Sequence, residues 1–240
     1  MMVNAAIQDA LDRIAARAQD VQRAFTPGAT PQFGDVATGA ARSRPVIDPL
    51  SVTAPADAYF LTTDEGGRTV YTRDGSFALD NGTLIGANGR AILGYTTPSG
   101  AATPLHVDAI DEALGRVNNL RIEPNGALSY DRVSIDPRTG ARALERVVVG
   151  QLALARFPAA TKLAVLDANH AAAPPGVVPH IGRAGDGNFA NLTPMRREDS
   201  GIDFDRSLDR LEEAYMAFDA LQAAHKAQGG VSKAAMDLVK

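Results

Sequence analysis

The sequence predicts a mainly β central domain of short antiparallel strands and hairpins, with an α-helix of coiled-coil type at the N-terminus and another at the C-terminus. Three observations carry this expectation. Glycine-containing turn pairs punctuate short segments of alternating apolar and polar residues through the middle of the chain. Apolar residues recur in steps of four and three at both ends. A proline-rich stretch separates the first of these ends from the middle. The expected division is a helix over 1–27, an extended linker over 28–56, a β-rich domain over 57–191, and a helix with its tail over 192–240.

Ile7, Leu11, Ile14, Ala18, Val21 and Phe25 form the first four-three seam, the pattern of a helix made to pack lengthwise on other helices. Thr26, Pro27 and Gly28 end it, because proline cannot continue the helical ladder and disfavours helix in the residue before it. The stretch that follows holds Pro31, Pro45, Pro49 and Pro55 with few large apolar residues, and reads as an extended connector.

The β segments begin with YFLTT from Tyr59, RTVYTR from Arg68, SFALD from Ser76, TLIGA from Thr83 and AILGY from Ala91. Between them lie Glu65-Gly66-Gly67, Asp74-Gly75, Asp80-Asn81-Gly82 and Asn88-Gly89, which supply the positive φ of tight hairpins. The glycines are therefore expected to turn the backbone. Pro124-Asn125-Gly126 turns one later strand into the next, and the near-continuous apolar run from Arg146 to Phe157 predicts a strand buried on both faces. The segment from Asp108 to Val117 reads as a short helix or a loop, and 173–187 as a glycine- and proline-rich tract.

Phe204, Leu208, Leu211, Tyr215 and Phe218, with Leu221 one place early, repeat the four-three spacing, and Asp203 or Ser200 can cap the helix they predict. After Gly229-Gly230 a last short segment carries Val231, Ala235 and Leu238. Isolated helices of this length are marginal in water, so each seam needs a partner. The two seams either satisfy each other within one chain or satisfy neighbouring chains, and periodicity alone leaves both open.

Composition excludes several functions. The formal charge of −4 with interspersed signs argues against a nucleic-acid surface, which clusters Lys and Arg against phosphates. With no cysteine there is no disulfide framework, thiolate metal site or Cys nucleophile. The N-terminus lacks the basic and continuous apolar regions of a secretory signal, and no run of about 18 apolar residues occurs. None of His106, His170, His180 and His225 has metal-motif spacing; His106-Val107-Asp108 places His and Asp on one strand face, where a surface pair is the expected role. Gly182-Arg183-Ala184-Gly185-Asp186-Gly187 resembles a phosphate loop only superficially, lacks the following Lys-Ser or Lys-Thr, and reads as a flexible loop. Catalytic residues, metal ligands, cofactors and a small-molecule substrate are therefore not expected.

Beyond these patterns, Asp57-Ala58-Tyr59-Phe60, Gly67, YTRDGSFALD, Gly82-Thr83-Leu84-Ile85, Gly89 and Ile92-Leu93-Gly94-Tyr95 closely resemble the signature block of the bacterial flagellar hook and basal-body rod proteins. Within it the signature positions are Tyr71, Thr72, Arg73, Gly75, Phe77, Gly82, Gly89 and Gly94. The resemblance continues more loosely through RIEPNGALSYD, VGQLALARFPAATKL and SGIDFDRSLDRLEEAYMAFDALQ. Two departures stand out. VQRAFTPGATPQFGD replaces the family's Asn-Leu-Ala-Asn type motif and Thr-Gly-Phe-Lys type turn, and Ser200-Gly201-Ile202-Asp203 replaces Ser-Asn-Val-Asp.

The resemblance implies a basal-body rod subunit, since hook subunits of the family carry extra outer domains. Such a subunit is exported unfolded through the flagellar type III apparatus without a cleaved signal, and assembles across the periplasm into a helical tube that transmits torque. Its implied partners are copies of itself, related rod and hook subunits, the export apparatus and surrounding ring proteins. Ile7, Leu11, Ile14, Val21 and Phe25 with Leu208, Leu211, Tyr215 and Phe218 are the expected axial packing residues. The alternatives are a secreted β-rich enzyme acting on cell wall, using a carboxylate pair such as Asp131 and Asp136, or a surface binding module.

Overall fold

The computed structural model describes residues 2–26, 29, 42–107, 118–135, 138, 142–159 and 161–237. Two α-helices, α1 (Met2–Arg23) and α2 (Phe204–Asp237), frame a series of short strands. In chain order the strands are β1 (Ser43–Pro45), β2 (Val52–Thr53), β3 (Ala58–Thr63), β4 (Thr69–Thr72), β5 (Ala78–Asp80), β6 (Thr83–Ile85), β7 (Leu93–Tyr95) and β8 (Thr103–Pro104). They continue as β9 (Asn118–Ile122), β10 (Ala127–Ile135), β11 (Arg142–Arg156), β12 (Ala164–Val165), β13 (His170–Ala172), β14 (His180–Arg183), β15 (Thr193–Pro194) and β16 (Arg196–Glu198). The chain divides into two compact units, one containing α1 and α2 and the other containing every described strand. The expected class, mainly β and antiparallel with a helix towards each end, is what is found.

Turn chemistry explains the hairpins of the β unit. Between β3 and β4, the Asp64 carboxylate accepts the N–H groups of Gly66 and Arg68 at 2.9 and 2.8 Å, and Gly67 sits at φ +76. Between β5 and β6, Asn81 and Gly82 take φ +47 and +82, the two consecutive left-handed residues that a two-residue hairpin requires. Asn88 and Gly89 do the same before the chain returns so that the Ile92 N–H reaches Leu84 O at 2.8 Å. At the start of β10, Gly126 is again left-handed at φ +79, and Asn125 Oδ1 accepts the Ala127 N–H at 3.0 Å.

The largest sheet runs β12-β13-β4-β3-β11-β10-β9, with β7 and β14 also pairing to β11. Along β11, Leu152, Ala153, Leu154 and Ala155 are all fully buried. Strand alternation sends them to two different cores. Leu152 and Leu154 join Val52, Phe60, Leu84, Leu105 and Leu128, whereas Ala153 and Ala155 join Leu61, Tyr71 and Leu93. Phe77 meets Phe60 edge-on at 5.1 Å within the first core. The expectation of two-sided burial over 146–157 thus holds for this inner stretch and fails for Val148, which is exposed together with Leu144. There β11 forms the outer half of a long hairpin with β10, covered by neither core.

Two short strands lie inside the stretch expected to be linker. β1 pairs with β16 and β2 with β15, and the Asp199 N–H bonds Arg42 O at 2.7 Å, so the chain enters and leaves the β unit side by side. The 182–187 segment is not a flexible loop. Residues 180–183 form β14 on β11, and the Asp186 carboxylate then collects the N–H groups of Arg183, Asn188 and Phe189 at 2.8–3.0 Å. Along α2 the backbone continues through Gly229 and Gly230 without the break expected there. The helix or loop expected over 108–117, part of the linker (27–28 and 30–41), Asp136 and Leu238 lie outside the described residues.

Candidate assembly interface

Arg73 of the signature block forms a clamp within the β unit. Arg73 follows β4 and is buried, 7% exposed, as is Glu198 at the end of β16, 5% exposed. The guanidinium donates from Nε to Glu198 Oε1 at 3.1 Å and from an NH2 nitrogen to Oε2 at 2.5 Å. Its remaining amino group donates to the carbonyls of Pro55, Ala56 and Ala58 at 2.8, 2.9 and 2.6 Å. Both carboxylate oxygens and the donors facing them are thus satisfied, the condition under which a buried ion pair is tolerated. Burial pushes the Glu198 carboxyl above the usual range, while the Arg73 charge opposes that push.

The other residues of the motif make separate contacts within the β unit. The Thr72 hydroxyl accepts the Asp74 N–H at 3.0 Å, and Asp74 holds the Asn169 amide at 2.8 Å. Tyr71 lies edge-on to Phe157 at 4.8 Å, and burial raises its hydroxyl pKa. Two of the signature glycines do not serve turning at all. A Cβ on Gly75 would stand 1.8 Å from Val52 O, and one on Gly94 2.5 Å from Gln151 O, so both are places where backbones nearly touch. Gly89 is the reverse case, with φ +69 and open space around it.

In the helical unit, α2 starts with an N-cap. Asp203 Oδ1 accepts the Arg206 N–H at 3.1 Å, and the Asp203 carbonyl accepts the Ser207 N–H. Of the two cap candidates it is Asp203 that serves; Ser200 instead accepts the Ile202 N–H and donates to the Arg23 carbonyl at the end of α1. Ile14, Ala10 and Ala24 are buried, Ile7, Val21, Leu211 and Phe218 are half-buried, and Leu11 and Leu208 are exposed. Phe25 is 78% exposed and touches the Phe204 ring at 5.2 Å; Tyr215 is 51% and Met216 64% exposed. The helix pair therefore brings some seam residues together within one chain and leaves others bare to solvent.

Several residues were missed by sequence reasoning. Glu198 is 125 positions from Arg73, and no local pattern marks it as the partner. Met216 lies off the four-three seam. Ala10 and Ala24 carry the small-residue signal that marks close helix approach, which a search for large apolar residues passes over.

Among the described residues His170 Nδ1 lies 2.8 Å from Asp167 Oδ1, with the His170 side chain buried. Asp131 accepts the Asn119 amide at 3.1 Å, and this bond with the charges of Arg121 and Arg146 holds its carboxyl below the usual range, the wrong direction for a general acid. His106 shares a hydrogen bond with the Thr83 hydroxyl at 3.2 Å. Among the described residues no group of His, Asp and Glu side chains is placed to hold a metal ion, and no helix is long and apolar enough to cross a membrane.

Residues 56–130 match the family model of the flagellar hook protein FlgE/F/G D1 domain. The matched stretch contains β3 to β9 and the whole signature block with Arg73, but not its partner Glu198, and the family resemblance read from these residues is borne out over that span. The match supports a structural hook or rod protein of the flagellum, a family that is not enzymatic. No curated protein matches the chain.

Proposed function

We propose that the chain is a subunit of the flagellar basal-body rod, joining copies of itself and related hook and rod subunits through its terminal helices. The observation that carries this reading is the combination of a D1-type β unit with a helix pair whose apolar residues, Phe25, Tyr215 and Met216 among them, remain exposed. A β unit with two cores and a buried ion pair stands by itself, whereas the helix pair is left with apolar surface that a neighbour can cover. Repeated head-to-tail contacts that do not close produce a helical tube. Coiled-coil packing of the α1 and α2 seams against neighbouring subunits would stiffen it, and stiffness is what torque transmission from motor to hook requires.

Export through the type III apparatus as an unfolded chain suits a cysteine-free sequence, and ring proteins would surround the assembled tube. The test is Leu211→Asp, which places a charge in the half-buried α2 seam. The variant is expected to keep a folded β unit and to be missing from purified basal bodies. Normal incorporation overturns the proposal.

A further inference from the structure

Asn81-Gly82, Asn88-Gly89 and Asn125-Gly126 all turn the backbone of the β unit, and in each pair the glycine is left-handed. The residues that suit a tight turn also expose the asparagine side chain to attack, because glycine places no Cβ beside its own nitrogen. Asparagine is a thermolabile residue for this kind of reason. The three pairs share that chemistry and differ in how the fold holds them.

Asn125-Gly126 is tied on both sides. Asn125 Oδ1 accepts the Ala127 N–H at 3.0 Å, the Gly126 N–H bonds Glu123 O at 2.8 Å, and Gly126 O accepts the Leu152 N–H at 2.8 Å. Asn81-Gly82 is tied less, but firmly. The β5–β6 hairpin closes over it through the Asp80–Thr83 pair, Gly82 O accepts the Val107 N–H at 2.8 Å, and a Cβ on Gly82 would stand 2.7 Å from Val107 O. Asn88-Gly89 is the loose one. Both residues are exposed, neither belongs to either core, and there is open space around Gly89. Among the described residues Asn88 makes no side-chain hydrogen bond, and the Gly89 N–H reaches Gly86 O at a long 3.2 Å.

We propose that Asn88-Gly89 is a self-modification site, at which the folded chain converts asparagine to aspartate and isoaspartate ahead of the other two pairs. The Gly89 nitrogen gives up its proton to base and bonds to Asn88 Cγ; the side-chain amide takes up a proton and leaves as ammonia. A five-membered succinimide results. Water then adds at one of its two carbonyls, and the ring opens either to aspartate in the ordinary main chain or to an isoaspartyl link that carries the main chain through the side chain. To close the ring Asn88 must leave φ +61 and ψ +22, a local opening that breaks one weak backbone bond here and several at Asn125. Each conversion adds a negative charge two positions from Arg90, which donates to Asp167 at 3.0 Å.

The test incubates the folded full-length chain in mildly alkaline buffer, digests it, and follows each asparagine by fragmentation mass spectrometry. Protein isoaspartyl methyltransferase with labelled S-adenosylmethionine reports the isoaspartyl product. Asn88 is expected to convert at least about tenfold faster than Asn81 or Asn125, the factor that one or two further hydrogen bonds supply. In urea the tethers are gone, and the three rates are expected to fall within a few-fold of one another. Asn88→Gln, which cannot form the five-membered ring, is expected to remove most of the methyl acceptance of the folded chain. Conversion of Asn81 or Asn125 as fast as Asn88 in the folded chain overturns the proposal, and so does a folded chain in which Asn88 stays intact while the unfolded chain reacts. The same ranking in urea also overturns it, since the flanking sequence and not the fold would then set the rates.

Discussion

Arg73 and Glu198 form a buried bidentate ion pair across 125 residues of sequence, joining the strand hairpin of the signature block to the last strand before α2. Arg73 also holds three carbonyls of the 55–58 segment, so one side chain fixes the opening turn, the motif and the exit strand of the β unit. Losing either partner leaves the other charge buried and unpaired. Arg73→Ala and Glu198→Ala should each destabilise the β unit by about 3–5 kcal/mol in urea denaturation. The double variant should cost clearly less than the sum of the two, and strict additivity would show that the pair is not coupled.

Gly75 and Gly89 separate two reasons for glycine in the motif. Gly75→Ala drives a methyl group into Val52 O and should cost more than about 3 kcal/mol. Gly89→Ala meets open space and pays only for left-handed backbone, about 1–2 kcal/mol. Equal losses of thermal stability in the two variants would contradict this assignment.

Acid should weaken the β unit. The Arg68 N–H holds Asp64 low, with smaller help from the Arg68 side chain. Burial raises Asp186, but the N–H groups of Arg183, Phe189 and Asn188 outweigh it and hold it low. Asp167 is likewise raised by burial and lowered further by the Asn169 and His170 bonds. A carboxyl depressed in the folded state contributes stability above its unfolded value of 3.8 and loses it as pH falls through the folded value. Glu198, raised by burial, acts with the opposite sign. Asp131 is depressed in the same way, and four carboxyls against one predict that melting temperature drops below about pH 4 and that Asp186→Asn flattens the drop. A melting temperature rising in that range would contradict the prediction.

Asp203→Ala removes the N-cap of α2 and should cost about 1 kcal/mol. The loss belongs to the helical unit, so hydrogen exchange should speed up at the start of α2 and stay unchanged at Leu152 and Leu154. Faster exchange in both places would contradict the division into units.

Much of the β unit was legible because its information is local. Asn81-Gly82, Asn88-Gly89 and Asn125-Gly126 announce their turns by residue type, and Asp203 announces a helix start. What was not legible depends on distance. Gly75 and Gly94 look like turn glycines until the strands facing them are in place, and Val148 looks like a core residue until the length of the β10–β11 hairpin is known. β1 and β16 are three-residue strands that exist only because each finds the other across the chain. For the helices, the four-three spacing located Ile14, Leu211 and Phe218 at partly or fully buried positions, but it could not say that Leu208 and Tyr215 would lie bare. Exposure of a seam residue depends on which neighbours are present, and a single sequence does not contain them.

The central claim is that the exposed apolar face of the helix pair carries assembly while the β unit folds without it. Tyr215→Asp tests this most directly, because Tyr215 is half exposed and its loss leaves both cores untouched. Electron microscopy of basal bodies purified from cells whose only copy carries Tyr215→Asp should show the subunit missing from its place, although the secreted protein melts cooperatively like the unmodified chain. Basal bodies with the variant incorporated at the normal level would contradict the account.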